Sequence, residues 1–255
     1  MQPFIKLFLT ILLAHLLGDF NLQPFGILPG KTGRMRSYLQ HGVIRLLVLL
    51  ACIGIFFGPQ SLGSYRMWIG IAFYMAIHRA IDFSKQRFMN PDSAVVLVAD
   101  QLVQVLTMAM MAWFVARPGW VALKAEFSWS AATGERVLQA GIVYVAVVFA
   151  GGSVIRYVTR NLVAGVKTSG ETAEQLTNAG MYIGWLERFL IITAILVQSP
   201  SMVGLILTGK SIARFPELKE RFAEYFLIGT FLSVALAVSG GLVLLKLWYG
   251  TISLK

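Results

Sequence analysis

The chain has 255 residues, 57% hydrophobic and 13% charged, with 22 Lys and Arg against 12 Asp and Glu and a formal net charge of +10. Soluble domains carry about 25% charged residues, so this composition excludes an ordinary soluble fold and predicts a polytopic integral membrane protein in contact with the lipid bilayer. The basic residues gather between apolar runs, where topology and anionic headgroups account for them; anionic lipid is the expected contact and nucleic acid is not.

Apolar runs at 4–24, 42–58, 65–83, 94–116, 136–155, 180–198, 201–214 and 222–247 predict an all-α helix bundle of about eight spans. A membrane β-barrel would show short alternating strands instead. The first run carries His15 and Asp19 and no small-residue cleavage site follows, so it reads as a mature helix and not as a signal peptide. Lys31, Arg34 and Arg36 follow it. Cys52, in the second run, is the sole cysteine, which rules out an internal disulfide. Lys85 and Arg87 follow the third run. Trp120, Phe127 and Trp129 mark 117–135 as interfacial. After the fifth run come Arg156, Arg160 and Lys167, in a polar stretch 156–179 that reads as a loop with some helix. The seventh run is short, either a short span or a re-entrant element packed in protein, with Gly204, Gly209 and Lys210. The eighth reads as interrupted at Ser239-Gly240-Gly241. Excess Lys and Arg on alternate loops puts those loops in the cytoplasm and the N-terminus outside. Three regions follow: a duplicated hairpin domain over 1–116, a loop region with one span over 117–179, and C-terminal helices over 180–255.

Duplication shows in two matching segments. Ala14-His15-Leu16-Leu17-Gly18-Asp19-Phe20 and Ile77-His78-Arg79-Ala80-Ile81-Asp82-Phe83 both read His-x-x-x-Asp-Phe, 63 positions apart. A His and an Asp four apart share one helix face. Hydrocarbon disfavours such groups by several kcal/mol each, so two matched pairs point to a polar site. His41 lies 26 residues after His15, and Gln104 lies 26 after His78. Spans 1–2 and 3–4 therefore read as two related hairpins, running in the same direction about a pseudo-two-fold axis along the membrane normal.

Depth along each span follows from about 1.5 Å per residue, and it sets the ionisable groups in one leaflet. Asp19 and His15, and likewise Asp82 and His78, fall near the cytoplasmic ends of spans 1 and 3; Asp100 lies near the start of span 4. Imidazole and carboxylate are ligands for zinc, manganese or iron. His15, Asp19, His78, Asp82 and Asp100 are the candidate metal ligands, with Asp100 and His41 as candidate general bases. Arg79, Lys85, Arg188, Lys210 and Arg214 are candidates to neutralise an anionic substrate, while Glu187 and Glu224 read as partners in structural ion pairs. His-x-x-x-Asp is not a diagnostic metal motif, and the same pairs can clamp helices by hydrogen bonds. No P-loop, GxSxG or HExxH is present. The expected function is an intramembrane metal-dependent hydrolase acting on an amphiphilic, phosphate-bearing substrate. A proton- or ion-coupled transporter is the alternative, and a scaffold or sensor docking through 156–179 is the third.

The stretches His15-Leu-Leu-Gly-Asp-Phe-Asn-Leu-Gln-Pro24, His78-x-x-x-Asp-Phe-x-Lys85 and Asp100-Gln101 resemble a family of uncharacterised bacterial polytopic membrane proteins, known as domain of unknown function 3307. Gly184-Trp-Leu-Glu-Arg188, Lys210-Ser-Ile-Ala-Arg-Phe215 and Glu224-Tyr-Phe-Leu-Ile-Gly-Thr230 look like the tail of its longer members. The resemblance implies a bacterial inner membrane location and brings no activity. Members often carry a His after the Asp-Gln pair, where this chain has Gln104. A fainter likeness is to inner-membrane proteins described as metal-dependent hydrolases.

Overall fold

A computed structural model of the chain describes residues 3–21, 35–88, 94–116, 131–163, 171–213 and 223–250. The described residues are almost all helical, with no strand among them. In chain order the helices are α1 (Pro3–Leu16), α2 (Met35–Phe57), α3 (Tyr65–Phe88), α4 (Ala94–Val115), α5 (Ala131–Val145), α6 (Gly151–Val163), α7 (Glu171–Leu196), α8 (Ser201–Ala213) and α9 (Ala223–Tyr249). A π-helical turn, Leu17–Asn21, continues α1, and a second, Ala146–Ala150, joins α5 to α6 in one rod. Among the described residues, four stretches are long and apolar enough to cross a membrane: Pro3–Phe20, Gln40–Phe57, Thr133–Arg156 and Leu227–Tyr249. Ala99–Val115 and Ser201–Ile212 are shorter apolar helices. Large apolar side chains such as Leu47, Leu106, Trp113, Leu205 and Phe231 stand exposed, the surface a lipid-facing helix presents.

Two compact units divide the chain, Met1–Ile142 and Val143–Lys255. In the first, α1 packs against α2 and α4, α3 packs against α4, and α2 touches α3. Leu7 and Ile11 of α1, Leu49 and Ile53 of α2, Met67 and Ile71 of α3, and Met108 and Met111 of α4 are all buried. Gly58 ends α2 at φ 79°, a left-handed conformation that suits glycine, and a Cβ there would also meet the Gln60 amide at 2.6 Å. The chain then turns through the 3-10 segment Pro59–Gly63, closed by Ser61 Oγ donating to Gly58 O and by Trp68 Nε1 donating to Leu62 O.

In the second unit α7 packs along α9, and the Ala146–Ala150 turn lies against both. Val148, Ile191, Ile192, Ala237 and Leu244 form its buried cluster. Two sequence expectations change here. α9 runs unbroken through Ser239-Gly240-Gly241, because those glycines serve close packing and not a break: a Cβ on Gly241 would lie 2.7 Å from Ile195 Cβ, and one on Gly240 2.9 Å from Val147 Cγ2. The stretch 156–179 is helical wherever it is described, since α6 runs on to Val163 and α7 begins at Glu171. α8, at about 20 Å by its 1.5 Å rise, is shorter than a hydrocarbon core of about 30 Å.

Candidate functional site

His15 sits on the last turn of α1, buried, and the chain there widens from α to π. A π turn holds an extra residue, and such turns are frequent at functional sites. Asp19 lies within it, with Oδ2 3.8 Å from His15 Nε2. The second motif brings its imidazole to the same place: His78, only 1% exposed, has Nε2 3.8 Å from Asp19 Oδ1. The two imidazole rings meet edge-on, with centroids 5.5 Å apart and planes at 71°. Ligand atoms of His15, Asp19 and His78 all lie within 4.8 Å of one another.

Two further residues frame this trio. Tyr74 precedes His78 by one turn of α3, so both face the same way. Its hydroxyl is 3.2 Å from His15 Nδ1, and its ring stacks parallel on His78 at 5.9 Å. Arg45 enters from α2, 7% exposed. Its Nη2 is 2.7 Å from Asp19 Oδ1 and its Nη1 donates to Asp82 Oδ2 at 3.3 Å, so one guanidinium spans the carboxylates of both motifs. Gly18 makes room for it: a Cβ there would lie 3.0 Å from Arg45 Cγ. The sequence reading passed over both Tyr74 and Arg45. Arg45 carries a signal that could have found it, a charged residue inside the apolar run Val43-Ile44-Arg45-Leu46-Leu47. Tyr74 carries none beyond its spacing from His78.

The donors suit a divalent cation. Two ligands on one tetrahedral zinc, each at about 2.0–2.1 Å, stand about 3.4 Å apart. The 3.8 Å gaps from each imidazole to Asp19 are a few tenths of an ångström wider. His15 Nε2 and the ring nitrogens of His78 are buried without a well-formed hydrogen bond, the Gln104 side chain being set against His78 outside ideal geometry, which for polar atoms calls for an explanation. His15 can donate Nδ1–H to the Tyr74 oxygen, leaving Nε2 its lone pair, the arrangement that orients metal-binding histidines.

The remaining candidates divide. Asp82 stands beside the trio on Arg45 and is not one of the clustered ligands. Asp100, on α4, is buried and accepts from Gln101 Nε2 at 3.3 Å and Gln104 Nε2 at 3.4 Å. His41 is buried on α2, one turn before Arg45, and also stands outside the clustered set. Arg79 lies against α2, where a Cβ on Gly42 would be 3.4 Å from its Cζ.

The candidates on the second unit engage their own surroundings. Arg188 Nε and Nη2 donate to Val148 O at 3.1 and 2.7 Å, and Nη1 donates to Ser233 Oγ at 3.1 Å. Glu187, read from the sequence as a partner in a structural ion pair, takes Lys210 at 2.5 Å. Arg214 and the side chains of Lys85 and Glu224 lie outside the described residues.

Residues 7–130 fit the family model described as Protein of unknown function (DUF3307), a range that holds His15, Asp19, Arg45, Tyr74, His78, Asp82 and Asp100. The C-terminal motifs at 184–230 lie beyond it. No curated protein and no solved structure matches the chain.

Proposed function

From the premise that residues 7–130 belong to the DUF3307 family, whose description assigns no activity, we propose that this chain is a membrane-embedded, metal-dependent enzyme of the hydrolase class. The observation that carries the reading is the convergence of His15, Asp19 and His78, from two helices, with ligand atoms within 4.8 Å and imidazole nitrogens without a well-formed hydrogen bond. His15, Asp19 and His78 would hold the ion. Zinc, manganese or iron held there would supply Lewis-acid chemistry, activating water or polarising a phosphoryl oxygen. Tyr74 fixes the His15 ring, and Arg45 holds Asp19 while its charge is shared with Asp82. Asp100, with Gln101 and Gln104 beside it, and His41 serve as bases near the site. The substrate is amphiphilic and phosphate-bearing, met by Arg79 and Lys85 on the helix that carries His78. Arg188 and Lys210 drop out of that role because Val148 O and Glu187 already engage them.

The same reading sets the chain as a multi-pass protein of a bacterial inner membrane, N-terminus outside, with about eight spans and basic loops on anionic lipid. The α1–α2 and α3–α4 pairs, each packed as a hairpin, support the 63-residue repeat.

Metal analysis of the purified full-length protein tests the proposal. About one equivalent of a divalent metal is expected, lost in both His15→Ala and Asp19→Ala. Protein devoid of metal after purification and after reloading, or variants that keep their metal, would overturn it. One observation favours a second reading: Tyr74, His15, Asp19 and His78 form a continuous series at 3.2, 3.8 and 3.8 Å, a route for protons in a coupled transporter. Flux driven by a pH gradient in liposomes, abolished by His78→Ala in a protein that binds no metal, would select it.

A further inference from the structure

The two His-x-x-x-Asp motifs are alike in sequence and unlike in use. Both imidazoles enter the cluster, but of the two carboxylates only Asp19 does. The difference coincides with one side chain. Arg45 holds Asp19 by Oδ1 at 2.7 Å, leaving Oδ2 as the oxygen nearer His15, and holds Asp82 by its second arm at 3.3 Å. At the position 63 residues on from Arg45, the second hairpin has Met108, fully buried and unable to hold a carboxylate. The device is therefore single, set off-centre between two equivalent motifs. Gly18, whose position in the second motif is taken by Ile81, gives Arg45 its passage on the Asp19 side.

We propose that Arg45 is a positioning residue that selects Asp19, and not Asp82, as the carboxylate ligand of the imidazole pair. The inference rests on the metal reading above. A guanidinium keeps its charge at every accessible pH and its planar fork can grip two carboxylates at once. Groups that orient a ligating carboxylate typically contribute roughly 10- to 100-fold in metal affinity.

Cobalt(II) titration of the full-length protein in detergent, followed by its visible absorption band and its affinity, tests this. Asp19→Asn should abolish binding, and Asp82→Asn should leave the band unchanged and the affinity within a few-fold. Arg45→Met, which copies the second hairpin, should weaken binding by roughly 10- to 100-fold and alter the band. Arg45→Lys should fall between, since an ammonium restores the charge without the fork. A purely structural arginine would lower thermal stability and leave the band alone. Arg45→Met with the wild-type band and affinity overturns the proposal, as does Asp82→Asn that costs as much as Asp19→Asn. Should Arg45→Met fail to fold, Arg45→Lys decides: wild-type band and affinity overturn the proposal, and weakened binding with an altered band supports it. Wild-type protein that takes up no cobalt defeats the metal reading and this inference together, whereas binding that ignores Arg45 defeats this inference alone.

Discussion

Arg188 shows what a buried cation does when it serves the backbone. The π turn at Ala146–Ala150 disturbs the regular helical ladder, and the Val148 carbonyl turns to Arg188 Nε and Nη2. Gly152 and Gly184 leave the space: a Cβ on the first would lie 2.7 Å from Nη2, and one on the second 3.2 Å from Nη1. Arg188→Met should cost about 1–3 kcal/mol for the abandoned carbonyl, seen as a lower melting temperature in detergent, with metal content unchanged. Preserved stability would show that the carbonyl finds another donor. Spacing alone could not separate this arginine from an anion-binding one, because its partner is a main-chain oxygen 40 residues away. His15, Asp19 and His78 were readable because the motif repeats. Arg45 was visible as a charge in an apolar run but has no echo in the second hairpin, so a search guided by repetition misses it. That Asp82 stands aside is a tertiary outcome of sharing Arg45.

Helices were the readable part of the architecture, since long apolar runs leave few alternatives once water is excluded. The π turns were not readable. Gly18, Asp19 and Asn21 make Leu17–Asn21 a poor α-helix former, but nothing in those five residues specifies a π turn, against which Arg45 packs at Gly18. The turn gives a direct test. Inserting one alanine after Leu17 would lengthen the His15-to-Asp19 spacing by one residue, swinging the carboxylate by roughly 80–100° around the axis. Helicity by circular dichroism should persist while metal binding is lost. If binding survives the insertion, Asp82 or Asp100 can replace Asp19, and the three-ligand set is wrong. The interruption read at Ser239-Gly240-Gly241 failed for the opposite reason: glycine there answers a neighbour's bulk, which a single strand of text does not reveal.

Among the described residues, four helices are apolar and long enough to cross a bilayer, and α3 and α7 fall short of that measure. α3 carries buried His78 with half-buried Arg79 and Asp82, and α7 carries buried Arg188 with half-buried Glu187. Orientation can be measured. With Cys52 replaced by Ala, a cysteine at Gln60, in the connection between α2 and α3, should react with an impermeant maleimide from outside the cell. One at Lys31 should react only from the cytoplasmic side. The reverse pattern would invert the topology and move the ionisable cluster to the other leaflet.

The Arg45–Asp19 pair has a bearing on biogenesis. Both residues belong to the first hairpin, α1 with α2, so opposite charges can already be matched as that hairpin leaves the translocon, before α3 is synthesised. His78 and Asp82 arrive later on α3 and find a cation waiting. The order of synthesis thus spares the nascent chain a stage in which a lone carboxylate must face acyl chains.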